Sequence, residues 1–200
     1  MAEGTANYKI GKFTLDIPDV TGDSTPDFVC SGTIRPTTTS AAGYTKGRVV
    51  KAGVGTLGIE GPFIMTNTAT RIEAGTFLVN GNCLAANLPC HFVLAGGTFA
   101  VAAGSTNTCG TLNVESGSSL SVPADALLSF AESSGVDWTS DVEVSVNADL
   151  SADAVRFGTD ASGLTVSQAR RLKNGGRPCY LDENGYLRQK PLLGLMLLVK

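Results

Sequence analysis

Carboxylates spaced two or four apart are the groups in this chain best suited to chemistry. Asp141 and Glu143 flank Val142, with Asp137 just before them and Asp149 and Asp153 just after. Residues two apart on a strand share a face, so Asp141 and Glu143 would stand close enough to couple, as the paired acids of glycosidases do. The run Asp141-Val142-Glu143-Val144 alternates polar and apolar, however, and reads as a solvated outer face with the valines turned inward. A lyase would also need a Lys or Arg base beside a calcium-binding acidic cluster, whereas the apolar runs are interspersed with Thr, Ser and Asn. His91 is the only histidine, so Ser-His-Asp chemistry would rest on it alone. Its place at the head of His91-Phe92-Val93-Leu94 reads as structural. Gly96-Gly97-Thr98-Phe99 is not followed by the Lys-Ser/Thr pair of a phosphate loop or by a helix. Cys30, Cys83, Cys90, Cys109 and Cys179 are odd in number and lack Cys-x-x-Cys spacing, so at least one is unpaired within the chain, and a zinc site would need ligands from distant segments. Cys83 and Cys90 are candidates for a local disulfide. Phe130 and Trp138 would suit sugar stacking, but beside Leu127 and Val136 they read as core. No catalytic, cofactor-binding or metal-ligating residue is assigned, no cofactor is called for, and the protein is expected not to be an enzyme.

What must position such groups is set by composition. The chain of 200 residues is 42% hydrophobic and only 16% charged, with 24 glycines, which favours closely spaced strands and turns over helices. A net charge of −3 argues against nucleic acid as a partner, since phosphate binding needs a clustered basic face. The charge is uneven: up to Val155 there are 7 basic and 15 acidic residues, and from Arg156 there are 8 basic and 3 acidic. That break suggests a change of character near residue 150, the later segment carrying a solvated basic surface. No apolar run approaches the roughly 20 residues of a membrane span. Leu192–Val199 reads instead as a buried terminal strand. Met1–Thr5 has neither the basic nor the apolar region of a signal peptide, so the sequence reads as cytosolic or as a piece of a longer secreted chain.

The elements follow from a recurring phrase, Gly-Thr-hydrophobic with another apolar residue two positions on. It occurs at Gly32-Thr33-Ile34, Gly55-Thr56-Leu57-Gly58-Ile59, Gly75-Thr76-Phe77-Leu78-Val79, Gly97-Thr98-Phe99-Ala100-Val101 and Gly110-Thr111-Leu112-Asn113-Val114, with a degenerate copy at Ser119–Val122. The glycines step by 23, 20, 22 and 13 residues. Repeats of roughly 20 residues, each a turn and a strand, mark a solenoid whose units bury their apolar face by stacking on neighbours. Alternation places Leu57, Ile59, Phe77, Val79, Phe99, Val101, Leu112 and Val114 in one core. Upstream, Ile10–Ile17 reads as a strand ended by Pro18-Asp19, Phe28–Ile34 as a second strand region, and Pro36–Gly43 as a loop.

Lys51–Gly61, followed after a short spacer by Thr70–Gly81, resembles the autotransporter-associated β-strand repeat of bacterial passenger proteins, and Phe13–Ile17 resembles the coils that precede it. The ending, in Val155-Arg156-Phe157-Gly158-Thr159, Gly163-Leu164-Thr165 and Leu181–Leu187, resembles the terminal module found after such repeats. The resemblance implies an all-β, right-handed parallel β-helix of pectin lyase-like fold in an exported, surface-exposed or secreted protein, the repeat serving as scaffold. Partners would be glycans or other surface proteins. The expected division is a β-helix domain over 1–150, with roughly five to seven coils, and a capping module over 151–200. In that module, Thr165 and Gln168 form a capping box, giving a short helix that Asn174-Gly175 stops, with Val166, Ala169 and Leu172 packed inward. Asn184-Gly185 predicts a type I′ hairpin turn. The alternative function is a β-helical carbohydrate-active enzyme, a lyase or glycosidase, or a glycan-binding module.

Overall fold

The computed structural model describes residues 12–23, 25–35, 48–65, 68–84 and 89–191. The first sheet contains β1 (Lys12–Asp16), β3 (Arg48–Ala52), β5 (Ala69–Ile72), β7 (His91–Ala95) and β10 (Leu112–Ser116), stacked in that order. The second begins with β2 (Phe28–Cys30), β4 (Thr56–Ile59), β6 (Thr76–Val79), β8 (Thr98–Val101), β11 (Ser118–Val122) and β13 (Val144–Ala148). It ends with β15 (Leu172–Asn174), β16 (Arg177–Leu181) and β17 (Leu187–Gln189). The third holds β9 (Thr106–Cys109), β12 (Leu127–Phe130) and β14 (Val155–Phe157). All pairings up to β15 are parallel, so the chain is a β-solenoid of about four turns. Spacing alone suggests five to seven coils. The count is lower because the coils at both ends lack a strand in one or two of the sheets. The opening strand begins at Lys12 within the expected span, while residues 8–11, the loop 36–43 and the terminal run 192–199 lie outside the described residues.

The recurring glycines are explained by stacking. Gly75 has φ +60°, and a Cβ there would lie 2.3 Å from the carbonyl oxygen of Gly55 in the coil before. Backbone of successive coils therefore meets at this corner too closely for any side chain. Register fixes Thr56, Thr76, Thr98 and Ser119 opposite one another, so one coil takes 20, 22 and 21 residues in turn. Not all copies of the phrase are equivalent. Gly55, Gly75 and Gly97 enter the second sheet, but Gly110 enters the first, and Gly32 precedes Ile34, which bridges Phe63 on the third face. The short 13-residue step thus joins two different corners and is not a short coil.

All eight residues expected inside are buried, Val101 being the most accessible at 3%. A chain of ring contacts runs along the axis from Phe63 through Phe77, Phe92, Phe99 and Phe130 to Phe157, with centroids 4.3 to 6.1 Å apart. Phe130 and Trp138 belong to this core, and the indole N–H donates to the Leu112 carbonyl at 3.0 Å. Among the described residues the fully buried polar side chains are Lys51, Thr70, Asn107 and Ser133. Lys51 is fully buried, and its ammonium donates to the carbonyls of Ala52, Gly53 and Ala74 at 2.7, 2.8 and 3.1 Å. Asn107 accepts from the N–H groups of Cys83 and Leu84 and donates to the Gly81 carbonyl. Both side chains satisfy backbone groups at corners where strands cannot.

After residue 150 the stacking changes gradually. β14 and β15 still pair in parallel, and only β16 and β17 turn antiparallel. Helix α1 (Val166–Arg171) starts with the expected capping box of Thr165 and Gln168. It stops at Arg171, earlier than Asn174, because Leu172–Asn174 is drawn into the second sheet beside β13. Ala169 and Leu172 are buried, but Val166 is 67% exposed, and Gln168 points inward in its place. The hairpin between β16 and β17 forms, yet its turn is not type I′. Of Asn184 and Gly185 only the glycine has positive φ (80°), and the Asp182 carboxylate accepts from the N–H groups of Asn184 and Tyr186, which shapes a longer loop with a left-handed glycine.

Candidate functional site

The sequence candidates are scattered over this frame. Asp141 lies in a turn with φ 61°, so it does not share a strand face with Glu143, which precedes β13. Both are exposed, as the outward reading expects. They border a shallow depression of about 400 Å³ with Arg170, Arg171 and Lys173. Lys173 pairs with Glu143 at 3.1 Å, and Arg171 donates to the Thr139 carbonyl at 2.7 Å. Asp137 is exposed, and Asp149 is tied to the hydroxyl and N–H of Ser151, which hold its carboxyl below the usual range. Asp153 is bonded to Arg188, which also reaches Asp182 and the Leu150 carbonyl.

His91 opens β7, and its Nδ1 accepts the Thr111 N–H at 3.0 Å. A backbone donor fixes Nδ1 as the acceptor, so the neutral ring carries its proton on Nε2. It serves the corner where Gly110 passes, since a Cβ there would sit 2.6 Å from Nδ1. The five cysteines are free thiols, Cys83 and Cys90 included. The Cys90 Sγ lies 3.3 Å from the Thr70 hydroxyl, and burial pushes its thiol up to about 12. Burial also raises the Cys109 thiol well above the ordinary cysteine range. Such thiols are packing groups and not nucleophiles. Among the described residues no group of three or more His, Cys, Asp or Glu is placed to hold a metal, and no helix is long and apolar enough to cross a membrane.

A further concave surface over the third sheet is not legible in the sequence. Thr108, Ser129 and Arg156 are register partners across β9, β12 and β14, and their neighbours Cys109, Phe130 and Phe157 are buried, so the three form an outward column. This column lies in a groove of about 460 Å³, bordered by Glu132, Asp160 and Ser162. Arg156 is held in place, its Nε donating to the Asn184 carbonyl at 3.0 Å and its guanidinium lying 5.2 Å over the Tyr186 ring. The Ser162 hydroxyl, then its N–H, hold the Asp160 carboxyl below the usual range. Hydroxyls, one guanidinium and carboxylates on a fixed sheet suit hydrogen bonding to a hydroxylated ligand. The one signal in the sequence is the buried residue following each member of the column. The spacing lengthens from 21 to 27 residues between copies, which hides the column from a search by period.

Comparison with known protein families, with curated proteins and with solved structures finds no match to this chain.

Proposed function

We infer that the protein is a non-enzymatic structural scaffold, a passenger-like part of an exported bacterial surface or secreted protein. The observation that carries this reading is the use to which the polar side chains are put. Lys51, Asn107, Gln168 and Arg188 each donate to a backbone carbonyl of a neighbouring coil or loop, that of Ala74, Gly81, Ser133 and Leu150 respectively. Asp141 and Glu143 lie on a solvated edge among cations. The polar groups thus serve the stack. The likeness of residues 51–81 to the autotransporter-associated repeat supplies the surface location and a part in adhesion. Incubation with a panel of polysaccharides should release no new reducing ends or unsaturated sugars. Turnover that disappears on Asp141→Asn or Glu143→Gln would overturn the scaffold reading. An antibody against the repeat should label intact producing cells or their medium, and labelling only after lysis would remove the surface assignment.

A glycan-binding module is the second reading, favoured by the groove over Thr108, Ser129 and Arg156. Titration with neutral oligosaccharides tests it: binding that Arg156→Ala abolishes would establish it, and no heat or shift on titration would dismiss it.

A further inference from the structure

Three asparagines in this chain are followed by glycine: Asn80-Gly81, Asn174-Gly175 and Asn184-Gly185. Such a pair carries its own electrophile and nucleophile, because the side-chain amide carbon is one ring closure away from the next backbone nitrogen, which glycine leaves unshielded by a Cβ. The local sequence ranks the three alike. The structure separates them. Gly185 donates its N–H to the Asp182 carbonyl at 3.0 Å, and a Cβ on it would lie 2.6 Å from the Phe157 carbonyl oxygen, so this nitrogen is both engaged and walled in. Asn174 is pinned at the other partner. It sits in β15 opposite Val146 on one side and Arg177 on the other, and its amide donates to the Ala148 carbonyl at 2.7 Å. Swinging its amide carbon onto the Gly175 nitrogen would give up that bond inside a paired strand.

Asn80 is held by neither means. It lies just past β6, it is exposed, and its amide donates to the exposed Glu60 carboxylate at 3.1 Å, a contact open to water. The Gly81 N–H donates to no acceptor among the described residues, and a Cβ on Gly81, at φ +114°, would meet nothing within 4 Å. We propose that Asn80 is a self-modification site, converted in the folded protein to aspartate and isoaspartate with no enzyme. Hydroxide takes the Gly81 N–H proton, and the nitrogen attacks the Asn80 amide carbon. That bond forms, the bond from the carbon to Nδ2 breaks, and Nδ2 takes a proton from water and leaves as ammonia, returning the hydroxide. Water then opens the cyclic imide at either carbonyl. Opening at the side-chain carbonyl leaves aspartate, and opening at the backbone carbonyl routes the chain through the side chain as isoaspartate. The product bears on the stack. A new carboxylate stands beside that of Glu60 in the coil before, where like charges repel. The longer isoaspartyl backbone also displaces the Gly81 carbonyl, to which the buried Asn107 amide donates at 2.9 Å. This goes beyond the scaffold reading and does not depend on it.

Ageing the full chain in mildly alkaline buffer, then mapping its peptides by mass spectrometry, tests the proposal. The peptide holding Asn80 should gain the mass of an amide turned acid roughly tenfold faster, or more, than those holding Asn174 and Asn184, which must open locally before they react. In denaturant the three should convert at comparable rates, since each is then a free Asn-Gly pair. An isoaspartyl methyltransferase with a labelled methyl donor should mark the aged, folded chain. Asn80→Gln, which keeps an exposed amide but forms the imide ring poorly, should remove that label with the thermal midpoint little changed. Equal rates at the three sites in the folded chain, faster conversion at Asn174 or Asn184, an Asn80 that reacts only in denaturant, or a label that survives Asn80→Gln would overturn the proposal.

Discussion

The central coils and the C-terminal segment are held together by different means. From Leu57 to Phe130 each coil lays like upon like: Leu57, Phe77, Phe99 and Leu120 fall on one line of the second sheet, all fully buried. In the segment from 155 onward, Phe157 still stacks on Phe130, but the residues after it pair with unlike partners in the coil before, Leu172 with Val144 and Asn174 with Val146. This segment is fastened by side chains that reach backbone, Gln168 to Ser133 and Val136, Arg171 to Thr139, Asn174 to Ala148, and Arg188 to Leu150. Repetition lets apolar contact alone specify position. Where the repetition stops, directional hydrogen bonds must do so, because a non-directional force does not select one docking among many.

The strongest test removes one region outright. A chain ending at Asp149 loses β14, β15, α1 and the hairpin, and should keep a β-type circular dichroism spectrum while associating into species larger than those of the full chain, since β12 and β13 then lose the strands that cover them. If its mass in sedimentation matches that of the full chain, the segment is an appendage and not a cap. Phe77→Ala probes the apolar stack. This ring is fully buried and touches Phe63, Phe92 and Phe99, so the cavity should cost about 3 to 5 kcal/mol, read from the denaturant midpoint. Gln168→Leu probes the directional fastening. It keeps the volume but leaves the Ser133 and Val136 carbonyls without their donor, at a cost of about 1 to 3 kcal/mol. An equal or larger loss than Phe77→Ala would blur the contrast between the regions.

The smallest effect is a pH dependence at Asp27, just before β2. The N–H groups of Thr56 and Val20, each at 2.7 Å, hold the Asp27 carboxyl down to about 2, below its ordinary value of 3.8. The folded value is the lower one, so the unfolded chain binds the proton first. The contribution is full above 3.8 and is lost as pH falls through about 2. Asp27→Asn should therefore lower the melting temperature at neutral pH, and the gap between variant and parent should close in strong acid. A gap independent of pH would mean that the carboxylate charge plays no part.

Much of this architecture is visible in the chain as written. Residues two apart share a strand face, so the eight buried positions from Leu57 to Val114 follow from alternation alone. The capping box of Thr165 and Gln168 spans four residues and is equally local. The helix end departs from the local pattern because distant β13 draws Leu172–Asn174 into the sheet, whereas the hairpin turn departs for a local reason, the Asp182 carboxylate that takes the N–H groups of Asn184 and Tyr186. Lys51 is instructive: it alternates with Val49 in the sequence and so belongs inside, but only the three converging carbonyls make that position tolerable.

Local alternation and turn chemistry thus determined the class of fold, the inward faces and the start of α1, because each depends on residues within a few positions of one another. The tertiary structure alone decided which corner each Gly-Thr phrase occupies and which hydroxyls line up with Arg156. Those depend on how coils of unequal length come into register. That register is set by contacts between residues 20 or more positions apart, and no local pattern contains it.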